Sequence, residues 1–267
     1  MLFRSSAQSS GLLAETTGLL RRAGLEVVAV AGAGREPTIE DVDACTAGMR
    51  ENGVAAGDIV VAVGGGSAID LAKGAAAMAP QPDAASVREY LEGIGRGLKL
   101  AEPPLPVVAV PTTAGTGSEA TRNAVVSCAE PRAKKSLRDD RMTPAVALVD
   151  PELTMSAPPE VTVRTNLDAL TQLIEAYISR KARPTARALA LEGLKRAGRA
   201  LAPDDDVSDR RIAEDMSYAA LLSGMALANS GLGMAHGVAA ALGVHVDAPH
   251  GLACAVMLPT ALRVNRD

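Results

Sequence analysis

The amino-acid sequence predicts an α/β nucleotide-binding domain with a parallel sheet, followed by an all-α domain. In the first part of the 267-residue chain, short and nearly continuous apolar runs alternate with helical patterns. Such alternation is typical of parallel strands that helices cover on both faces. From Val161 onward only helical periodicity is present. The change follows "DPELTMSAPPE", which places the two predicted domains at residues 1–158 and 159–267.

The elements of the first domain follow in chain order. The stretch "SGLLAETTGLLRRAG" has leucines at helical spacing and ends at Gly24, a residue type that caps helix C-termini. The run "LEVVAVAG" predicts a strand, and "TIEDVDACTAGMRENG" predicts a helix that Thr38 caps, with Asp41 in the capping-box position. The stretch "DIVVAVGGGSAIDLAKGAAAMA" predicts a strand, a glycine turn and a helix. The runs "PPLPVVAVP" and "AVALVD" predict two further buried strands.

The second domain is predicted to consist of helices. They are "TNLDALTQLIEAYISRK", "PTARALALEGLKRAGRAL", "DRRIAEDMSYAALLSGMALA" and the segment that follows, with "APDDDVSD" as a solvated linker. The segment from Met216 to Val246 carries no Asp, Glu, Lys or Arg. An uncharged segment of this length could span a bilayer. Its polar break "NSGLG" favours a pair of buried helices instead, and we expect no membrane partner.

Charge and cysteine content limit the classes of function. The net charge is −4 and no run of Lys or Arg occurs, which argues against a nucleic-acid partner. The three cysteines, Cys45, Cys128 and Cys254, are widely spaced and odd in number, as expected for reduced thiols rather than a disulfide framework. The N-terminal stretch lacks a long apolar region of the signal-peptide type. We therefore expect a cytoplasmic protein.

Two small-residue loops follow predicted strands. In the first, Gly64, Gly65 and Gly66 precede a helix, whose N-terminal N–H groups can point at a phosphate. A plain strand–helix turn explains the same glycines, because the spacing is not that of the usual dinucleotide fingerprint. The second loop, "PTTAGTGSEATRN", offers hydroxyl groups beside glycines at the end of the next apolar strand. Ligands of open α/β sheets bind at such strand ends, so the two loops together favour a phosphate-bearing cofactor.

All three histidines, His236, His245 and His250, lie within "GMAHGVAAALGVHVDAPHG". A second polar set lies in "TNLDALTQLIEAY", where Asp168, Gln172 and Glu175 at i, i+4 and i+7 share one helix face. A carboxylate on a buried helix needs a partner, and a metal ion is one such partner. The combination of one carboxylate and two imidazoles, from Asp168, His236 and His250, suits zinc or ferrous iron.

Five motifs in this order resemble the iron-containing (group III) alcohol dehydrogenases. They are "GGGSAIDLAKG", "PTTAGTGSE", "VDPELT", "LDALTQLIEAY" and "GMAHGVAAALGVHVDAPHGLACAVMLP". The resemblance implies a dehydroquinate synthase-like architecture, with metal and substrate in a cleft between the domains. It implies that Asp168, His236 and His250 bind the metal. The cofactor-binding residues that it implies are Gly65, Gly66, Ser67 and Asp70 at the pyrophosphate, and Thr112 and Thr116 near the nicotinamide. Gly64 and Thr113, which belong to the same two loops, complete the predicted cofactor-binding set.

The chain departs from the resembled pattern at several positions. Gln172 stands where aldehyde-reducing members have a histidine ligand, and Ala240 stands where many have another histidine. Because an amide oxygen is a weaker donor than imidazole, we expect Gln172 to bind the metal weakly or to lie just outside its ligands. Glycerol dehydrogenases are similar to this chain in having one aspartate and two histidine ligands. We expect His245 to be a surface residue, Glu175 to have a structural partner, and Cys254 to pack as a small apolar side chain.

The N-terminal stretch bears on cofactor choice. Arg4 stands where NAD-preferring members place an acid, and with Ser5 and Ser6 it suits a 2′-phosphate. The sequence therefore favours NADP over NAD. Members of the family also begin with an additional strand and helix and continue well past "LRVN". On that comparison we expect the chain to be a fragment or a shortened variant.

The resemblance implies a metal-dependent oxidoreductase that transfers a hydride between NAD(P) and a small alcohol or aldehyde, using one Fe or Zn ion. We expect a homo-oligomer whose only ligands are small molecules. Two alternatives stay open at this point. One is a lyase of the dehydroquinate synthase type, and the other is a truncated, non-catalytic remnant that binds nucleotide.

Overall fold

The computed structural model describes residues 2–4, 11–28, 30–32, 35–82, 85–201, 209–246 and 248–266, the backbone alone for 2–4 and 30–32. The chain divides into two compact units. The first comprises Met1–Val110 and Arg122–Leu148, and the second comprises Pro111–Thr121 and Val149–Asp267. The sequence predicts a single domain boundary after residue 158, whereas each compact unit consists of two separate segments of the chain. The reason is that the loop after the fourth strand packs on helices of the second unit.

The first unit contains the predicted parallel sheet. The strands of the described chain are β1 (Leu2–Arg4), β2 (Val30–Gly32), β3 (Val60–Gly64), β4 (Val107–Pro111), β5 (Asn123–Cys128), β6 (Ala133–Arg138) and β7 (Val146–Ala147). Five of them form one sheet in the order β2-β1-β3-β4-β7. The pairs β1–β2, β1–β3 and β4–β7 are parallel. The α/β class predicted from the alternating apolar runs is confirmed.

Three helices accompany this sheet: α1 (Leu12–Arg22), α2 (Ile39–Glu51) and α3 (Gly66–Met78). The predicted capping box of α2 is present. The Thr38 hydroxyl accepts a hydrogen bond from the Asp41 N–H at 3.2 Å, and the Asp41 carboxylate accepts one from the Thr38 N–H at 2.8 Å. Helix α3 is buried along most of its length, in a core shared with β3, β4 and α2. The glycine turn at its start is therefore held on a well-packed helix.

The strands β5 and β6 form an antiparallel hairpin that the sequence analysis did not predict. Alternate residues of β5 are buried, in the pattern expected for a half-buried strand. In β6, "AKKSLR", Leu137 is buried among charged and polar neighbours, so no apolar run marks the strand. The hairpin is tied to α3 because the Val125 N–H donates to the Asp70 carboxylate at 3.0 Å.

From Val149 onward, the regular elements of the second unit's described residues are all helices, as predicted from Val161 onward. Its helices are α4 (Pro151–Thr154), α5 (Pro159–Ile178), α6 (Pro184–Ala200), α7 (Arg210–Ser230), α8 (Met234–His245) and α9 (His250–Val264). Helices α5, α6 and α7 share an apolar core that includes Leu173, Met216 and Ala219. The predicted linker "APDDDVSD" lies outside the described residues except at its end, where the Asp209 carboxylate caps α7.

The apolar segment from Met216 to Val246 forms two helices rather than one. Helices α7 and α8 meet at a bend of 98° at the "NSGLG" break. Within the described parts of the chain, no single helix is both long and apolar enough to cross a membrane, although this bent pair passes that test when taken together. The prediction of two shorter helices is confirmed.

Candidate functional site

One face of α5 carries three buried polar residues. Asp168, Gln172 and Glu175 are each no more than 4% exposed. Their spacing of about one helical turn aligns them on that face, as predicted. The structure divides them into two groups: Asp168 and Glu175 contact His236 of α8, whereas Gln172 contacts other partners.

His236 lies between two carboxylates. Its Nδ1 is 2.7 Å from Glu175 Oε2, and its Nε2 is 3.3 Å from Asp168 Oδ1. Glu175 also accepts hydrogen bonds from the backbone N–H groups of Ala235, at 2.7 Å, and His236, at 3.3 Å. These N–H groups belong to the first turn of α8, whose N-terminus attracts a negative charge. Glu175 therefore fixes both the helix end and the ring orientation.

His250 begins α9 and reaches the same aspartate. Its Nε2 is 4.0 Å from Asp168 Oδ1, and its ring centroid is 5.7 Å from that of His236. The next residue, Gly251, permits this approach. A Cβ atom at Gly251 would lie 2.2 Å from the Arg164 carbonyl oxygen and 3.2 Å from the Asp168 Cβ. Only the absence of a side chain lets the start of α9 pack directly on α5.

Cys254 joins this group, which sequence analysis did not foresee. It lies one turn after His250 on α9, and its Sγ is 3.6 Å from His250 Nε2. Ligand-type atoms of Asp168, His236, His250 and Cys254 all lie within 4.8 Å of one another. Cys254 also packs with two alanines of α8 and α9, as expected for a small apolar residue. The spacing of four between His250 and Cys254 on a predicted helix is the sequence signal that pairs them.

The charges in this cluster depend on one another. Burial lowers the pKa of His236, but hydrogen bonds with Asp168, Cys254 and Glu175 outweigh it and raise that pKa to about 11. Burial raises the pKa values of Asp168 and Glu175, and their hydrogen bonds with His236 more than reverse this, so both carboxyl pKa values are lowered. Burial raises the pKa of the Cys254 thiol. Two buried carboxylates thus surround a single position that favours a cation.

Gln172 and His245 lie apart from this cluster. The Gln172 amide nitrogen donates to the Thr116 carbonyl at 3.3 Å, and its oxygen accepts from the Ser223 hydroxyl at 3.1 Å. Both polar ends of the amide therefore have protein partners. His245 is exposed at the last residue of α8 and is not one of the four grouped residues.

The glycine turn lies at the carboxyl end of β3. Gly64 has φ 154°, a backbone conformation that favours glycine, whereas Gly65 is extended at the N-cap of α3. Among the described residues, no side chain caps the N-terminus of α3, where Gly66 and Ser67 form the first turn. Asp70, one turn further on, is already engaged, since it binds the Val125 N–H and lies 3.3 Å from the buried Lys73 ammonium.

The threonine-rich loop follows β4 and packs within the second unit. Gly117, at φ 62°, lies against α7, where a Cβ atom on Gly224 would come within 2.2 Å of the Gly117 carbonyl oxygen. Thr112, Thr113 and Thr116 are partly exposed. The Thr116 hydroxyl accepts a hydrogen bond from the Ser118 N–H at 3.3 Å. Close backbone packing therefore holds the loop in place while its threonines remain accessible.

The predicted determinant of cofactor choice falls largely outside the described residues. The side chain of Arg4 and all of Ser5 and Ser6 lie outside the described residues. Only the backbone of Arg4 is described, at the end of β1 and paired with Gly32 of β2.

The chain combines a parallel-sheet unit that contains a glycine turn with a helical unit that contains a buried Asp/His/His/Cys cluster. These features define the class as a candidate nucleotide-binding protein with a candidate metal centre. Residues 1–151 match the family described as "Iron-containing alcohol dehydrogenase". Residues 162–267 match "Fe-containing alcohol dehydrogenase family, C-terminal". The chain belongs to the iron-containing alcohol dehydrogenase family, and the resemblance stated from its motifs is confirmed.

Individual relatives agree with this assignment. Alcohol dehydrogenase 4 of Saccharomyces cerevisiae is 39% identical over 256 residues, covering 96% of this chain and 65% of its own length. The probable alcohol dehydrogenase EutG of Escherichia coli is 39% identical over 232 residues, covering 86% of this chain and 56% of its own length. Lactaldehyde reductase of Escherichia coli is 35% identical, with 96% and 65% covered. The chain thus spans between 56% and 65% of the length of these curated relatives.

Solved structures support the same fold. An iron-containing alcohol dehydrogenase from Thermococcus thioreducens has a TM-score of 0.89 and 30% identity, covering 99% of this chain and 68% of its own. A sulfoacetaldehyde reductase from Bifidobacterium kashiwanohense, solved in complex with NAD+, has a TM-score of 0.88 and 31% identity, with the same coverage of 99% and 68%. These neighbours confirm the two-part fold class.

Proposed function

We propose that this protein is a metal-dependent oxidoreductase that transfers a hydride between NAD(P) and a small alcohol or aldehyde. The observation that carries the proposal is the convergence of Asp168, His236 and His250 in the second unit. The names of the relatives, which include alcohol dehydrogenases and a lactaldehyde reductase, support this class of substrate.

The donor set fits one divalent ion, either Fe or Zn. A carboxylate and two imidazoles are common ligands of both metals. With bonds of about 2.0–2.2 Å, neighbouring donors around a tetrahedral ion lie roughly 3.3–3.6 Å apart. The separations of 3.3 Å from Asp168 Oδ1 to His236 Nε2 and 4.0 Å to His250 Nε2 need little adjustment. A bound ion would supply Lewis-acid polarisation of the substrate oxygen.

The protein side chains prepare this centre. Glu175 accepts at His236 Nδ1, and Nε2 faces Asp168, so a metal that replaced the Nε2 proton would be bound by a neutral ring held in this orientation. Asp168 remains ionised, because its hydrogen bond with His236 lowers its pKa in spite of burial. The Gln172 amide forms hydrogen bonds with Thr116 and Ser223. Gln172 therefore connects the threonine loop to α5 rather than acting as a strong metal ligand.

The first unit would bind the cofactor pyrophosphate. Gly64, Gly65, Gly66 and Ser67 lead into α3, whose N-terminus lacks a side-chain cap among the described residues and can bind an anion. Asp70 supports the turn through its contacts with β5 and Lys73. In the second unit, Thr112, Thr113 and Thr116 would lie near the nicotinamide. The NAD+ complex of the Bifidobacterium reductase supports a nicotinamide cofactor. The preference for NADP, argued from Arg4, stays a prediction.

Location and assembly also stay predictions. Cys45, Cys128 and Cys254 are all free thiols in the structure, which is compatible with the proposed reducing, cytoplasmic location. The proposed partners are a small alcohol or aldehyde and a second copy of the chain.

Metal content and turnover test the proposal. Asp168→Ala, His236→Ala and His250→Ala should each lose most of the metal after mild chelation, as measured by mass spectrometry, whereas His245→Ala should keep it. NAD(P)H oxidation with short aldehydes should require added zinc or ferrous iron. Nucleotide binding without turnover would instead favour a non-catalytic remnant. Metal-dependent lyase activity without net NAD(P)H oxidation would favour the dehydroquinate synthase type.

A further inference from the structure

The metal ligands implied by the family resemblance do not account for Cys254. Its side chain is 0% exposed, and its Sγ lies 3.6 Å from His250 Nε2. The thiol also lies within 4.8 Å of ligand-type atoms of Asp168 and His236, the other two members of the cluster. A sulfur atom therefore lies within 4.8 Å of all three donors that the proposed function assigns to the metal.

The geometry of this sulfur matches that of a ligand. For a zinc ion with Zn–S of about 2.3 Å and Zn–N of about 2.0 Å, a tetrahedral arrangement separates sulfur and nitrogen by roughly 3.5 Å. The observed separation of 3.6 Å to His250 Nε2 is close to that value. The positions of His250 and Cys254, four residues apart on α9, let one helix present both donors to the same point.

Gln172, the other candidate for a fourth ligand, already has protein partners for its amide. Gln172 lies one turn after Asp168, but its nitrogen binds the Thr116 carbonyl and its oxygen binds the Ser223 hydroxyl. Turning the amide oxygen toward a metal would break its hydrogen bond with the Ser223 hydroxyl. Cys254 requires no such exchange.

We propose that the thiolate of Cys254 is the fourth protein ligand of the metal, and that the resulting S/N/N/O centre prefers Zn²⁺ to Fe²⁺. This inference rests on the proposed metal-dependent function. Metal binding would release the thiol proton to solvent as the metal–sulfur bond forms. Thiolate is a soft ligand that selects zinc, and zinc also stands above ferrous iron in intrinsic affinity for nitrogen and sulfur sites.

Cobalt substitution tests the sulfur ligand directly. The full chain, stripped of metal, is titrated with Co²⁺ while the absorption spectrum is recorded. Ligand-field bands in the visible region report binding at the cluster, and a sulfur-to-cobalt charge-transfer band in the near ultraviolet reports the thiolate. The wild-type protein should show both. Cys254→Ser should lose the charge-transfer band, and its Zn²⁺ affinity should fall about 100-fold, the upper end of the cost of losing even an indirect metal partner.

Matched controls use the other two thiols. Cys45 and Cys128 are buried in the first unit, so the Cys45→Ser/Cys128→Ser double variant should keep both bands. That variant leaves Cys254 as the sole thiol and identifies the ligand even if Cys254→Ser does not fold. Anaerobic competition with equimolar Zn²⁺ and Fe²⁺, read by mass spectrometry, should give mostly zinc in the wild type.

Each outcome decides between the two proposals. Ligand-field bands without a charge-transfer band in the wild type would overturn the Cys254 ligand and leave the proposed metal function standing. The same conclusion follows if the charge-transfer band persists in Cys254→Ser. Retention of iron in preference to zinc would overturn the proposed zinc preference. A wild-type chain that binds neither Co²⁺ nor Zn²⁺ overturns both proposals.

Discussion

Replacing Glu175 with glutamine should weaken metal binding by about 10- to 100-fold. Glu175 Oε2 contacts His236 Nδ1 at 2.7 Å, and Oε1 accepts from the Ala235 N–H at 2.7 Å. A glutamine amide has one oxygen, so it can keep only one of these two acceptor positions. A lost hydrogen bond to a charged group costs about 1.5–3 kcal/mol. Since 1.4 kcal/mol is a factor of ten in affinity, the expected loss is about one to two powers of ten.

Competition against a chromophoric zinc chelator measures this change. The matched control is Glu160→Gln, because Glu160 lies on the same helix but is exposed and, among the described residues, forms its ion pair with Arg164 one turn along that helix. The control should retain wild-type affinity. Circular dichroism and urea unfolding establish that both variants are folded. Wild-type zinc affinity in a folded Glu175→Gln variant would refute the reasoning that Glu175 orients His236 for the metal.

Three further predictions concern packing, pH and the cofactor. Gly251→Ala should destabilise the second unit and reduce metal content, because its Cβ would lie 2.2 Å from a carbonyl oxygen of α5; unchanged urea unfolding would contradict this. Burial raises the pKa of Asp215, but hydrogen bonds from Arg199 and Arg196 outweigh this effect and lower that pKa below 3.8. The ionised carboxylate therefore stabilises the folded state fully above pH 3.8, and this stabilisation is lost as the pH falls further. Asp215→Asn should therefore lower the free energy of unfolding by about 1 kcal/mol at pH 7, and by progressively less in acid. Gly65→Val should abolish NAD(P)H binding in a fluorescence titration, because its side chain would fill the anion site at the start of α3; a folded variant with unchanged affinity would remove the glycine turn from the site.

Local patterns in the sequence determined much of the architecture. The capping box of Thr38 and Asp41, the helices α5 to α7 and the break between α7 and α8 all depend on residues within a few positions of one another. Such features are predictable because propensity, capping and periodicity act over one or two helical turns. The same periodicity placed Asp168, Gln172 and Glu175 on one buried face of α5.

Contacts between distant segments were decided only by the tertiary structure. The β5–β6 hairpin has a charged second strand, so pairing with β5 rather than composition makes it a strand. Gln172 faces Thr116 and Ser223 because a loop and α7 pack against α5. Cys254 lies within 4.8 Å of Asp168 and His236 because α9 approaches α5 closely at Gly251. Sequence spacing predicts which donor residues share a face of each helix. The distance between the helices depends instead on close packing of side chains that are far apart in the chain.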